Sequence, residues 1–375
     1  MRVAFVSNVV YPFVTGGAEK RIYEIGRRLS ARGHDVTVYG RHYWDGPAEM
    51  EYEGMTLRAV APDRDLYTAD RRSITEAVDF AARATPTLVR RAGDHDVLVA
   101  SVFPFFPVLS ARLAASLGST PLVTTWHEVW REYWREYLGS PGLAGMAVER
   151  TVANIPQRPV AVSDVTADRL AGLGVDRDRI TVVPNGVDID RIRSIPPATD
   201  GYDIVFAGRL VPEKRVDRLI RAFATADVEA TLGIIGDGPE RDRLEQLAVD
   251  SGVAGDVDFL GFLPESDDVL AQFRSADIFA TASTREGFGI TTLEALAADC
   301  TVVATDHPRS AAAEVVGDAG FLVAPSASAL AAGLETACSG ERPSLNPRER
   351  AAAFDWDRVT DDAEQVYEAA CSLEG

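Results

Sequence analysis

The sequence predicts an α/β protein made of two units, each a parallel β-sheet with helices on both faces. Three observations carry this expectation. Short apolar runs of strand length alternate with helical segments through most of the chain, and that alternation is the signature of a parallel sheet. The alternation runs through two successive series, parted near Asp190 by a segment at 193–201 that holds Pro196 and Pro197 and reads as a linker. The length of 375 residues also exceeds what a single hydrophobic core ordinarily supports.

In the first series, residues 3–7 form a short apolar strand. Residues 18–32 follow with helical periodicity, placing Ile22, Ile25, Gly26 and Leu29 on one face. Gly33 ends that helix, and residues 35–39 make the next strand. Further strands are predicted at 97–101, 121–125, 159–162 and 180–183. After Asn185-Gly186-Val187-Asp188, the second series places strands at 203–207, 230–235, 257–260, 278–282 and 301–305. Residues 290–298 are rich in the helix formers Leu, Glu and Ala, and 357–373 reads as a terminal amphipathic helix. No repeat of fixed period runs through the chain, which excludes a solenoid. The expected domains are 1–190, joined by 357–375, and 191–356. Open parallel sheets bind ligands at the carboxyl ends of their strands, so a ligand cleft between two facing sheets is expected.

Composition narrows the function. A hydrophobic content of 46% is ordinary for a globular protein. The most apolar run, 97–111, holds two prolines and is shorter than the ~18–20 residues of a membrane span. The N-terminus MRVAFVSNVV is strand-like and too short for a signal peptide. A cytoplasmic protein is expected. The net charge of −19, from 38 basic and 57 acidic residues, argues against a nucleic-acid partner, because phosphate backbones need basic surface. Only two basic residues are lysines, Lys20 and Lys214. This acid-rich, lysine-poor composition resembles that of proteins from high-salt archaea. Cys300, Cys338 and Cys371 share no metal-ligand spacing and read as free thiols. The D-x-D triplets, such as Asp188-Ile189-Asp190 and Asp355-Trp356-Asp357, arise by chance in so acidic a chain, and no metal site is expected.

The most informative motif is REGFGITTLEALAAD. Glu286 and Glu294 stand eight positions apart, with Gly287, Phe288 and Gly289 between them and a helix starting at Ile290. Glycines let the backbone turn tightly and approach a ligand. The N–H groups and dipole of a helix N-terminus form an anion site. Carboxylates accept hydrogen bonds from hydroxyl groups. Acid, anion hole, acid suits a ligand with phosphate in the middle and hydroxyls at both ends, as in a nucleotide sugar. Gly208-Arg209 and Lys214 follow a predicted strand and offer a planar fork and a point charge for phosphate, or else a solvated basic turn. Gly236-Asp237-Gly238 is either a tight turn or a nucleotide contact. Arg241 takes the place of a third glycine, so it is not a dinucleotide fingerprint. Gly16-Gly17 is a phosphate-approaching loop or a plain turn.

His127 ends a strand in Thr124-Thr125-Trp126-His127-Glu128. Two readings stand for it: a contact to a sugar hydroxyl near the reacting centre, or a structural histidine. His34 reads as structural. Helical spacing puts Trp130, Tyr133, Trp134 and Tyr137 on one face, where they pack on the domain, line an acceptor pocket or touch a membrane interface. Lys20, Arg21, Arg27 and Arg28 on the first helix form a solvated face or meet anionic lipid.

Taken in order, these residues resemble one family over nearly the whole chain. The Gly16-Gly17-Ala18-Glu19 loop, Gly33-His34-Asp35-Val36, Trp126-His127-Glu128, Val162-Ser163 and Pro184-Asn185-Gly186-Val187-Asp188 are followed by Gly208-Arg209 with Lys214, Gly236-Asp237-Gly238 and Glu286-x7-Glu294. The chain resembles the GT-B glycosyltransferases of family 4, a retaining group that includes bacterial and archaeal mannosyl- and glucosyltransferases. The resemblance implies two Rossmann-like domains whose parallel sheets face across a cleft, with the C-terminal helix crossing back to the N-terminal domain. It implies that Arg209 and Lys214 hold the donor diphosphate. Glu286 then contacts the hexose hydroxyls, Glu294 the ribose, and the Gly287–Ile290 backbone cradles phosphate and sugar. His127 reaches the donor sugar near the anomeric carbon. Gly16, Gly17, Asn185, Gly208, Gly236 and Gly238 complete the donor contacts. Members generally need no metal or cofactor, and the leaving phosphate helps to deprotonate the acceptor in a front-face attack. Where the family often carries a glycine-rich turn, this chain has Asp306-His307-Pro308-Arg309; Glu314 matches the acid that follows.

The expected activity is transfer of a hexose from a UDP- or GDP-sugar to a glycan or lipid-linked acceptor, at the inner membrane face, with possible peripheral membrane contact. A GT-B sugar-nucleotide epimerase would need carboxylates set for proton chemistry on the ring. A non-catalytic nucleotide-sugar binder would not need His127 together with both glutamates.

Overall fold

The computed structural model describes residues 1–14, 16–68, 71–102 and 104–372. The chain divides into two compact units: Met1–Asn185 joined by the C-terminal segment from Trp356, and Gly186–Asp355.

The first unit holds β1 (Arg2–Val6), β2 (Asp35–His42), β3 (Glu49–Tyr52), β4 (Met55–Pro62), β5 (Tyr67–Thr68), β6 (Arg71–Arg72), β7 (Val97–Ser101), β8 (Leu122–Trp126), β9 (Arg158–Ala161) and β10 (Thr181–Val182). Its main sheet has the order β10-β9-β8-β7-β1-β2-β4-β3, while β5 and β6 pair with each other. All neighbours in the main sheet are parallel except β3 and β4. In register, Val3 stands opposite Val36 on one side and Val97 on the other.

Side chains alternate across a strand, and the apolar runs feed two cores. Val3, Phe5, Val36, Val38, Val97, Val99 and Val123 pack with Ile25 and Leu29 of the helix Gly17–Ala31 and with Val359 and Tyr367 of the helix Trp356–Ser372. Ala4, Val6, Leu98, Ala100, Leu122 and Trp126 pack on the opposite face with Phe80 and Val108, which lie on the helices Ile74–Arg91 and Phe106–Gly118. The terminal helix is held to the first unit at its rim as well. Arg32 pairs with Asp361 at 2.8 Å and with Glu364 at 2.6 Å, and Arg28 pairs with Asp357 at 2.7 Å. His34 binds the N-terminal amine at 2.9 Å and Glu364 at 2.6 Å, a structural role.

The second unit holds β11 (Ile204–Ala207), β12 (Leu232–Ile235), β13 (Val257–Gly261), β14 (Ile278–Thr281), β15 (Thr301–Thr305) and β16 (Gly320–Val323). The order β13-β12-β11-β14-β15-β16 is parallel throughout. Renumbered within the unit it is 3-2-1-4-5-6, the doubly wound order whose topological switch point lies between its first and fourth strands. Buried Ile204, Phe206, Leu219, Ile220, Leu232, Ile234 and Leu334 fill one core of this unit.

The two-unit parallel α/β architecture and the terminal helix packed on the first unit are as expected. Five strands lie outside the sequence reading: the short pair β5 and β6, and β3, β4 and β16 of the larger sheets. Each is at or next to a sheet edge. The faces of β3, β4 and β16 are only partly buried, so they lack the continuous apolar run that marks a central parallel strand.

Among the described residues no helix is long and apolar enough to cross a membrane, and no cluster of three or more His, Cys, Asp or Glu is placed to hold a metal ion. The three cysteines are unpaired.

Candidate functional site

In the second unit, the switch point brings together the loop leaving β11 at Gly208 and the loop leaving β14 at Ala282. Thr284 donates through its N–H and Oγ1 to the carbonyl of Glu213, at 2.9 and 3.2 Å. Arg285 pairs with the Glu213 carboxylate at 2.7 Å. This tie sets Lys214 against Glu286, and the two form an ion pair with side chains 19% and 23% exposed. The turn after β15 forms a further wall: Glu286 N–H donates to Arg309 O at 3.1 Å, and Ala311 N–H donates to Glu286 O at 2.9 Å. In that turn His307 Nδ1 accepts from Arg309 N–H at 3.2 Å. Desolvation and the nearby Arg309 and Arg218 lower its pKa.

Gly289, with φ +95°, is the N-cap of the helix Ile290–Ala297, a conformation that favours glycine. The N–H groups opening this helix lack intrahelical partners and carry the positive end of its dipole. Glu286 lies three residues before that cap, and Glu294 is the fifth residue of the helix, half-buried. Phe288 is 5% exposed, and its ring meets Phe354 edge-on at 5.7 Å. Arg209 is exposed beside Gly208.

The Gly236-Asp237-Gly238 turn is zippered to the Gly208 loop. Gly208 N–H donates to Ile235 O at 3.0 Å, Leu210 N–H to Asp237 O at 2.9 Å, and Glu240 N–H to Leu210 O at 3.1 Å. A Cβ on Gly236 would fall 2.0 Å from the Gly208 carbonyl oxygen, and one on Gly238 would fall 2.4 Å from that of Leu210. Close backbone approach thus explains both glycines at the level of packing.

In the first unit, Gly16 is the N-cap of the helix Gly17–Ala31. A Cβ on Gly16 would meet Glu19 Oε2 at 2.3 Å. One turn in, Arg21 is 3% exposed. Its Nη1 donates to the carbonyl oxygen of Pro184 and to Oδ1 of buried Asn185, the latter at 3.2 Å. Arg21, Ser101, Thr125, His127 and Tyr367 line a cavity of about 10 Å³, room for one water molecule. Desolvation, with the Arg21 charge adding to it, pushes the half-buried His127 down to about 3. Burial also lowers Arg21 to about 10 and raises Tyr367 to about 12. Around neutral pH His127 is therefore an uncharged hydrogen-bonding group.

Arg21 departs from its expected place on a solvated or lipid-facing surface, because it points inward. Arg27 and Arg28 both pair with Glu24. The available signal was the helical wheel, since Arg21 precedes Ile25 and Leu29 at spacings of four and eight. Glu149 and Arg169 also escaped the sequence reading. Glu149 is fully buried, and its two carboxylate oxygens accept from Trp130 N–H and Arg131 N–H, each at 2.7 Å. Burial raises its pKa against the pull of those bonds. Arg169 Nε donates to Val129 O at 2.8 Å. Together they fix the loop that follows His127. The aromatic segment is not one helix: only Tyr133–Leu138 is helical, and Trp130 lies in the loop before it. The rings still cluster, with Trp130 4.7 Å from Trp134 and 5.0 Å from both Tyr133 and Tyr137. Trp134 belongs to the core.

Residues 15–191 match the Glycosyltransferase Family 4 model, and residues 188–354 match the model of Glycosyl transferases group 1. The D-inositol 3-phosphate glycosyltransferase of Geodermatophilus obscurus is 30% identical, over 95% of this chain and 85% of that protein. A glycogen synthase of Mycobacterium tuberculosis is 28% identical, over 99% and 95%. Among solved structures, Anabaena HepE in complex with UDP and glucose superposes with a TM-score of 0.73 at 21% identity, over 98% of this chain and 100% of that one. Sucrose-phosphate synthase from Thermosynechococcus elongatus gives 0.78 at 17% identity, over 98% of each chain. These structural likenesses speak to the fold, and the sequence matches speak to kinship. The chain belongs to the group 1, family 4 glycosyltransferases of GT-B fold.

Proposed function

We propose that this glycosyltransferase moves a hexose, with retention of configuration, from a nucleotide-diphosphate sugar to a glycan or lipid-linked acceptor at the cytoplasmic membrane face. The observation that carries the reading is the ion pair of Lys214 and Glu286 beside the N-terminus of Ile290–Ala297. A diphosphate fits a cation and a helix N-terminus. A sugar fits an ionised carboxylate that accepts from its hydroxyls. Exposed Arg209 supplies a second cation for the leaving group. In this reading Arg209 and Lys214 do the work that a metal does elsewhere, and no cofactor takes part.

Glu286 serves the hexose and Glu294 the ribose, with Gly287, Phe288, Gly289 and Ile290 as the cradle between them. Gly208, Gly236 and Gly238 shape the nucleotide side, and Gly16, Gly17 and Asn185 are donor contacts of the first unit. Neutral His127 hydrogen-bonds the sugar near the anomeric carbon, and the leaving phosphate takes the acceptor proton. Support for a nucleotide-sugar donor comes from HepE, whose structure holds UDP and glucose, and UDP- and GDP-hexoses are the donors to try first.

The test is a panel of UDP-, GDP- and ADP-sugars with product anomers read by NMR. Glu286→Ala is expected to abolish transfer, and Glu294→Ala to weaken donor binding. Full turnover in both variants would overturn the assignment. Product of inverted configuration would overturn retention.

A further inference from the structure

The cavity behind His127 holds a cation without an anion. Arg21 is 3% exposed and Tyr367 4%. Among the described residues no carboxylate pairs with Arg21, whose partners are the Pro184 carbonyl and the Asn185 amide oxygen. Ser101, 7% exposed, lines the same cavity, and its Oγ has no hydrogen-bond partner among the described residues. A desolvated guanidinium left without a counter-charge is unfavourable, and so is an unbonded buried hydroxyl. Stability alone does not account for this combination beside a half-buried histidine.

We infer that Arg21 is a positioning residue for His127, acting through a single water in this cavity to fix the imidazole tautomer and aim its remaining N–H. A guanidinium only donates hydrogen bonds. A water between Arg21 and His127 accepts from Arg21, and the cation turns the water's oxygen toward itself and its protons toward the ring. That orientation favours a bare ring nitrogen on the cavity side, with the proton on the other nitrogen. The same water accepts from or donates to Ser101 Oγ, which completes that hydroxyl. The inference rests on the proposed reaction, in which His127 meets the donor sugar as a neutral donor of one defined hydrogen bond.

The surrounding charges agree. Arg21 from the helix Gly17–Ala31 and Tyr367 from the helix Trp356–Ser372 are the titratable groups lining the cavity with the ring, and the sheet contributes Ser101 and Thr125. Glu128, next in the chain, is engaged by Trp130 Nε1 at 3.0 Å. Desolvation and then Arg21 lower the His127 pKa, and Tyr367 stays protonated. By attaching to Asn185, Arg21 also links the Gly16-Gly17 helix to the Pro184-Asn185 turn.

The experiment is a histidine 15N NMR titration of the full chain from pH 4.5 to 8, followed by kinetics. Wild-type His127 is expected as one neutral tautomer throughout. In Arg21→Met the charge that orients the water is lost, so the two neutral tautomers mix across the titrated range and the His127 pKa moves upward. Arg21→Lys returns the charge and restores the wild-type titration. With an active donor, Arg21→Met lowers kcat by about tenfold or more while the donor KM changes little, as for a misaimed catalytic contact. Wild-type titration near 6.5 overturns the inference, as does an Arg21→Met protein with unchanged tautomer and titration. If Arg21→Met fails to fold, the wild-type and Arg21→Lys titrations decide. If no nucleotide sugar is turned over, the proposed reaction fails, while the NMR result still decides whether Arg21 controls His127.

Discussion

Replacing Gly236 by alanine isolates the backbone zipper on which the proposed donor loop rests. The new Cβ would stand 2.0 Å from the Gly208 carbonyl oxygen and 2.9 Å from its carbon. Both obstacles are main chain, so no side chain can swing aside. Gly236 also has φ +126°, where an L-residue is strained by about 1–3 kcal/mol. Overpacking adds about 1–3 kcal/mol. For a unit of the size of Gly186–Asp355, each kcal/mol lowers the melting temperature by about 2–4 °C, so the total loss is roughly 4–24 °C. The assay is calorimetric melting of Gly236→Ala against Gly255→Ala. A methyl added at Gly255 would have no atom within 4 Å, and the residue is exposed, so its substitution should stay within about 0.5 kcal/mol of wild type. Relaxation of the clash pushes Gly208 outward and carries Arg209 with it. Donor affinity should therefore fall in Gly236→Ala even at temperatures where the protein remains folded. If Gly236→Ala melted within a degree of Gly255→Ala, the close approach of the two loops would be refuted.

Two further outcomes are expected. Glu149→Ala removes two hydrogen bonds to a buried carboxylate, each of which contributes about 1.5–3 kcal/mol, partly offset by relief of the desolvated charge, for a net loss of roughly 2–4 kcal/mol; urea unfolding should show it, and a change below half a kcal/mol would contradict the anchoring role. The net charge of −19 makes self-repulsion a destabilising term that shrinks as the Debye length falls from ~10 Å at 0.1 M to ~3 Å at 1 M salt, so the melting temperature should rise in 1 M KCl, and a flat or falling trend would exclude it.

Much of this protein was legible in its sequence because parallel strands buried on both faces must be continuous apolar runs. The strand-and-helix series follows from that constraint alone, as does the helix at Ile290 with its glycine cap. The spacing of Glu286 and Glu294 around that cap is equally local, being fixed by one loop and one turn of helix. The residues that needed three dimensions are those whose partners lie far along the chain. Lys214 meets Glu286 across 72 positions, and Arg21 meets Asn185 across 164. No periodicity encodes such a meeting, because it depends on which strands the sheet order makes neighbours. Arg21, which reads as surface, and Glu149, which no motif marks, show the limit most clearly: both are buried and bonded to backbone groups far along the chain. Sequence alone determined the class of fold and the chemistry of the motifs. Tertiary structure decided which of the charges face one another, since burial and long-range pairing are properties of the packed sheet and not of any segment within it.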